Sequence, residues 1–183
     1  MVKLVAFASI LLLGLVAATA HAEPQADQRV GWDTEIGRLP VDGKTFAYGL
    51  GIELDQHLAG RWFLTSAYHW RLTEHDLDAM TNTPGSAHEL ELGLRRRLAA
   101  KRLMNVLTLY VDGEAGAGAE LATDDRGSRA LLEAYAGLRF GYMISEHHGP
   151  SPQRGIEFDL GARAIAIDHG IGSMFVVSMA WDD

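Results

Sequence analysis

The stretch Phe46–Leu54, FAYGLGIEL, alternates large apolar residues with small or charged ones along its whole length. Phe46, Tyr48, Leu50, Ile52 and Leu54 form one set; Ala47, Gly49, Gly51 and Glu53 form the other. A period of two places these sets on opposite faces of a β-strand. Whether the apolar face meets a protein core or lipid separates a soluble β-protein from a membrane barrel.

The same period recurs along the chain. Candidate strands run over 30–38, 46–55, 61–72, 87–96, 105–120, 130–143, 155–166 and 173–181, the first being the weakest. In ALLEAYAGLRFGYM, helix formers are common, yet Leu132, Ala134, Ala136, Leu138 and Phe140 alternate with Glu133, Tyr135, Gly137 and Arg139, so strand is the better reading. The connections are LPVDGK, QHLAG, TEHDLDAMTNTPGS, LAAKRL, LATDDRGS, ISEHHGPSPQ and DHGIG. Several concentrate the Gly, Pro, Asn and Asp that turns demand. Successive hairpins without helical crossovers predict an all-β, up-and-down antiparallel barrel of about eight strands, closed so that no edge stays open.

Residues 1–22 stand apart. Lys3 precedes an apolar run of about 16 residues, short of the roughly 20 a spanning helix needs, and Ala20-His21-Ala22 suits signal peptidase. A cleaved signal peptide at 1–22 and a single barrel domain at 23–183 are expected. Its removal takes away one lysine and no acids, leaving a charge of −9 from the chain's −8. An acidic chain is a poor partner for nucleic acid, whose phosphates need a basic surface. The absence of cysteine excludes disulfides and lipoprotein attachment at the signal site.

Three features bear on which face is out. Gly49, Gly51, Gly93, Gly137, Gly141 and Gly161 share the polar face, which suits a narrow interior. That face also carries Glu53, His69, Arg71, Glu89, Glu91, Arg95, Asp112, Glu114, Glu133, Arg139, Glu157, Asp159 and Arg163. Acids and arginines on neighbouring strands can pair inside a barrel; the alternative is a solvated outer face. Third, Phe46, Tyr48, Trp62, Trp70, Phe140, Tyr142 and Trp181 lie near segment ends on the apolar set, as interfacial girdles do. Strands of about 9–11 residues also suit a membrane crossing better than a soluble sheet.

Together these features resemble the small eight-stranded outer-membrane barrels of the OmpA/OmpX type, across the whole mature chain and by architecture alone. The resemblance implies a Gram-negative outer membrane, a side-chain-filled interior, both termini in the periplasm, and contact with outer-membrane lipid and lipopolysaccharide. It makes the connections after the first, third, fifth and seventh strands external. One departure is the chain end, where Trp181 is followed by Asp182 and Asp183 instead of ending on an aromatic residue.

Catalytic motifs are sparse. There is no Gly-x-Ser-x-Gly elbow, His-Glu-x-x-His pair, phosphate loop or dinucleotide fingerprint. No histidine is followed by the x-Ser of outer-membrane lipid deacylases. Glu74, His75, Asp76 and Asp78, and separately Glu146, His147 and His148, read better as solvated loops than as metal ligands. His69 reads as a hydrogen-bonded member of the charged face, with proton transfer as the rarer alternative. The expectation is a non-enzymatic outer-membrane barrel with a charged, side-chain-filled lumen, no cofactor and no metal, structural or acting through external loops on an unknown partner. The alternatives are a soluble periplasmic barrel binding an apolar ligand and a lipid-modifying membrane enzyme.

Overall fold

A computed structural model describes residues 28–39, 45–75, 85–104, 106–124, 127–146, 154–167 and 170–182. The expected signal peptide at 1–22 and both loop histidine groups lie outside these residues or at their margins, where side chains are not described. Eight strands follow in order: β1 (Gln28–Leu39), β2 (Thr45–Ala59), β3 (Trp62–His75), β4 (Gly85–Met104), β5 (Leu107–Asp124), β6 (Gly127–Glu146), β7 (Arg154–Ile167) and β8 (Gly170–Asp182). Each pairs antiparallel with the next, and β1 pairs with β8 to close the barrel. Every strand therefore has a partner on both sides, which leaves no edge strand in the sheet.

The weakest strand of the sequence is a full one. β1 runs 12 residues and supplies the closing seam, Trp32 opposite Met179 and Ile36 opposite Phe175. The ambiguous segment around 130–143 is strand, inside β6. Several turns are tighter than the sequence suggested. QHL and Ala59 belong to β2, which leaves Gly60 and Arg61 as the turn into β3. Gly60 has φ of 59°, a left-handed conformation that costs a side chain dearly, and His57 Nε2 lies 2.9 Å from its carbonyl oxygen. LAAKRL continues β4 to Met104, with register shifts between Arg97 and Ala99 and between Arg102 and Met104. LATDDRGS shrinks to a connection at 125–126, because β5 and β6 pair as far as Asp124 opposite Gly127. Strand pairing extends past the hydrophobic signal because hydrogen bonding needs only backbone in register, not apolar side chains.

The apolar set of the opening stretch faces outward: Leu50 is 57% exposed and Ile52 63%, while Gly51 and Glu53 are buried. Leu90, Leu92, Leu132, Leu138, Phe140, Leu160, Phe175 and Val177 continue this wall around the barrel. Trp62 and Trp181 lie toward the end that holds the barrel's termini, the start of β1 and the end of β8, and Tyr48 and Trp70 toward the opposite end.

Inside, glycines make room for large side chains from opposite walls. Gly93, Gly116 and Tyr135 share one register row across β4, β5 and β6. A Cβ at Gly116 would stand 2.6 Å from Tyr135 Oη and 2.7 Å from Gly93 Cα, so the tyrosine occupies space that only glycine leaves. At the end away from the termini, Leu39, Ala47, Ile165, Ile167 and Met174 form an apolar cluster with Tyr135, and Leu131 packs against it. At the other end, Phe63 and Tyr110 lie under guanidiniums, Arg29 and Arg97 respectively, each 4.0 Å from the ring centroid. Between these two ends the lumen is filled by charge.

Candidate functional site

The thirteen charged-face residues read from the sequence all sit in the barrel interior, and all are buried. Their period of two selects the face, and barrel closure brings residues from distant strands within reach of one another. Near the end that holds the termini, Arg97 binds Asp112 with Nε 3.0 Å from Oδ1 and Nη2 3.2 Å from Oδ2. The same guanidinium reaches Glu157 at 3.1 Å, and Arg29 donates to Glu157 at 2.8 Å. One row inward, Arg95 joins Asp55 at 2.7 Å and also binds Glu53; Thr65 donates to Asp55 at 2.6 Å.

Arg139 extends from β6 across the lumen to Glu53 on β2, 2.7 Å away, and to Glu114 at 2.8 Å. It also donates to Ser178 Oγ at 3.1 Å, which in turn donates to Asp159 at 2.5 Å. Tyr110 donates to the other oxygen of Asp159 at 3.3 Å. Arg163 on β7 does the same one level further from the termini. Its Nε is 2.5 Å from Glu114, and its Nη1 is 3.1 Å from both Glu35 on β1 and Glu91 on β4. Arg71 on β3 meets Glu35 at 2.9 Å, Glu89 at 2.5 Å, Glu120 at 3.0 Å and Glu133 at 3.3 Å. His69 Nε2 lies 3.1 Å from Asp33. Bonds that cross from one wall to another fill the interior, and forked guanidiniums suit such multiple pairing better than lysine would.

Arg29, Asp33, Glu35, Asp55, Arg97 and Glu120 belong to the same interior and are missing from the sequence reading. Each was legible by phase. Asp33 and Glu35 alternate with Trp32, Thr34 and Ile36; Asp55 follows Glu53, Arg97 follows Arg95, and Glu120 follows Glu114 at even spacing. Asp33, Glu35, Asp55 and Glu120 lie on the charged face inside the expected strand ranges, whereas Arg29 and Arg97 lie one residue beyond them. Among the described residues, twelve carboxylates and six guanidiniums are buried. The negative excess exceeds what His69 alone could offset.

The chemistry available is that of packing and charge pairing. His69 and Asp33 are the one histidine–acid hydrogen bond within the described interior, and both are fully buried. Two carboxylate-rich groups have the spacing of cation ligands: Glu35 with His69 and Glu91, and Glu89 with Glu91 and Glu133.

A closed eight-stranded antiparallel barrel with apolar residues outside and ion pairs inside has the build of the small outer-membrane β-barrels. No protein-family model matches the chain, and no curated protein matches it either. Among solved structures it is similar to Neisserial surface protein A, NspA, at 7% identity and a TM-score of 0.56, covering 86% of this chain and 98% of that one. It is also similar to Ail, the attachment invasion locus protein of Yersinia pestis, at 12% identity and a TM-score of 0.46, with 86% and 98% covered. At these identities the likeness is one of fold: this chain has the fold of an eight-stranded outer-membrane barrel.

Proposed function

We propose that the protein spans the outer membrane of a Gram-negative cell as a non-enzymatic barrel, its lumen sealed by ion pairs, and that it acts through its external connections or as an element of the envelope. The observation that carries this reading is the inversion of polarity. Large aliphatic and aromatic side chains cover the outside of the wall, while arginines, glutamates and aspartates are buried within it. In water this arrangement would expose a continuous apolar surface far beyond the few hundred Å² that soluble monomers present. In a bilayer it satisfies both surfaces.

The interior favours a structural role over transport. Arg139 and Arg163 each bridge opposite walls, so a solute would have to break several charge-assisted hydrogen bonds to pass. The soluble alternative with an apolar ligand inside is poorly served by an interior of this polarity. Partners expected of the membrane reading are outer-membrane lipid and lipopolysaccharide at the wall and a partner at the external connections.

Two measurements test the reading together. Sodium carbonate extraction should leave the protein in the membrane pellet, and unboiled samples should migrate faster on a denaturing gel than boiled ones. Release into the carbonate supernatant with no change in mobility on boiling would refute it.

A further inference from the structure

We propose that Glu89, Glu91 and Glu133 form a binding site for a hard divalent cation, calcium in type, inside the barrel. One carboxylate oxygen from each of the three lies within 4.8 Å of the others, the span of ligands around a calcium ion with metal–oxygen distances of about 2.3–2.6 Å. All three residues are buried, Glu89 completely.

Two independent observations point to a ligand between them. The first is a set of carboxylate oxygens without hydrogen-bond donors among the described residues, both oxygens of Glu89 and Oε1 of Glu133. Arg71 faces the Oε2 atoms, 2.5 Å from that of Glu89 and 3.3 Å from that of Glu133. The Oε1 atoms of both residues have no hydrogen-bond partner among the described residues. Buried carboxylate oxygens are costly to leave so. The second is the backbone between them. Gly118 pairs with Glu91 on one side and Glu133 on the other, and a Cβ there would lie 2.8 Å from Glu89 Oε1 and 3.1 Å from Glu133 Cγ. The glycine thus leaves room against the β5 backbone for the Glu89 carboxylate and the Glu133 side chain.

Charge argues in the same direction. Arg163 is shared with Glu114 at 2.5 Å, and Arg71 is divided among five acids, Glu91 the most distant at 3.6 Å. His69 Nδ1 stands 3.4 Å from Glu89 and 3.5 Å from Glu91. These cations leave the three glutamates under-neutralised, and an all-oxygen anionic donor set selects a hard ion over a soft one.

The test uses the full mature chain folded in detergent micelles and stripped with a chelator. Equilibrium dialysis against calcium chloride should find one ion bound per chain, and the urea midpoint should rise with calcium beyond the effect of sodium chloride at equal ionic strength. Glu133→Gln and Gly118→Ala should each weaken calcium binding roughly tenfold or more. The alanine presses hardest on the flexible end of Glu89, with Glu133 Cγ at 3.1 Å and Leu90 O at 3.3 Å needing only a small adjustment, so this variant should keep the fold even if Glu133→Gln does not. No stoichiometric calcium in the parent, or equal affinity in Gly118→Ala, would overturn the proposal. So would a parent indifferent to calcium whose Glu133→Gln variant is more stable, the signature of a proton shared by two carboxyls. The result is read in micelles and stands apart from the carbonate test of membrane location.

Discussion

Removing Arg163 should destabilise the barrel by more than any surface charge could. Its guanidinium serves Glu114 at 2.5 Å and Glu35 and Glu91 at 3.1 Å, and it lies 4.7 Å from the Tyr135 ring centroid. In Arg163→Ala, Glu114 retains Arg139 at 2.8 Å and Glu35 retains Arg71 at 2.9 Å. Glu91 is left with His69 at 3.5 Å and Arg71 at 3.6 Å, too distant for good hydrogen bonds. One carboxylate is therefore stranded in the interior, and breaking a buried pair in this way costs about 3–5 kcal/mol. With a urea slope of about 2 kcal/mol/M, the unfolding midpoint should fall by about 2 M. Tryptophan fluorescence of the folded protein in micelles or bilayers reads the transition. Adding Glu91→Gln to Arg163→Ala should recover part of the loss, because it removes the stranded charge; this coupling separates electrostatics from the cavity left by the side chain. A loss under about 1 kcal/mol, the range of exposed pairs, would show that this face is solvated and that the charge-packing argument is wrong.

Leu92 and Leu138 stand on the outer wall, 59% and 47% exposed, and arginine at either should cost about 2–4 kcal/mol at the bilayer midplane, checked by folding into lipid vesicles. Insertion equal to the parent would overturn the outward assignment. Gly51→Ala should cost about 1–3 kcal/mol in the same urea assay, since its Cβ would stand 2.6 Å from His69 Nε2 and press on the His69–Asp33 pair. An epitope tag inserted near Asn82 should be reached by antibody on intact cells; signal only after permeabilisation would invert the topology.

A two-residue period makes the strands of this chain and the two faces of each legible from residue types alone, because side chains on a strand alternate whatever they pack against. The segment around Leu132 to Phe140 shows how strong that signal is, since alternation there overrides helix propensity. The same logic reaches Asp33, Glu35, Asp55 and Glu120 within the expected strands and, carried to the true strand ends, Arg29 and Arg97. Strand ends were hidden for a physical reason: from Leu98 to Met104 every side chain of β4 is exposed and two register shifts break the alternation, while backbone pairing continues through Lys101 and Arg102.

Tertiary structure decided the rest. Alternation is symmetric between an apolar core and an apolar exterior, so FAYGLGIEL by itself permits either. Closure of β1 on β8 is what assigns Gly51 and Glu53 to the inside and Leu50 and Ile52 to the outside. The partners of each charge were also beyond the sequence. Arg163 meets Glu35 across 128 positions and Glu91 across 72, separations set by the register of eight strands around the wall. A shift of one residue in any pairing would turn that strand's charges toward the outside. Local sequence carries which residues share a face; only the closed barrel carries which of them meet.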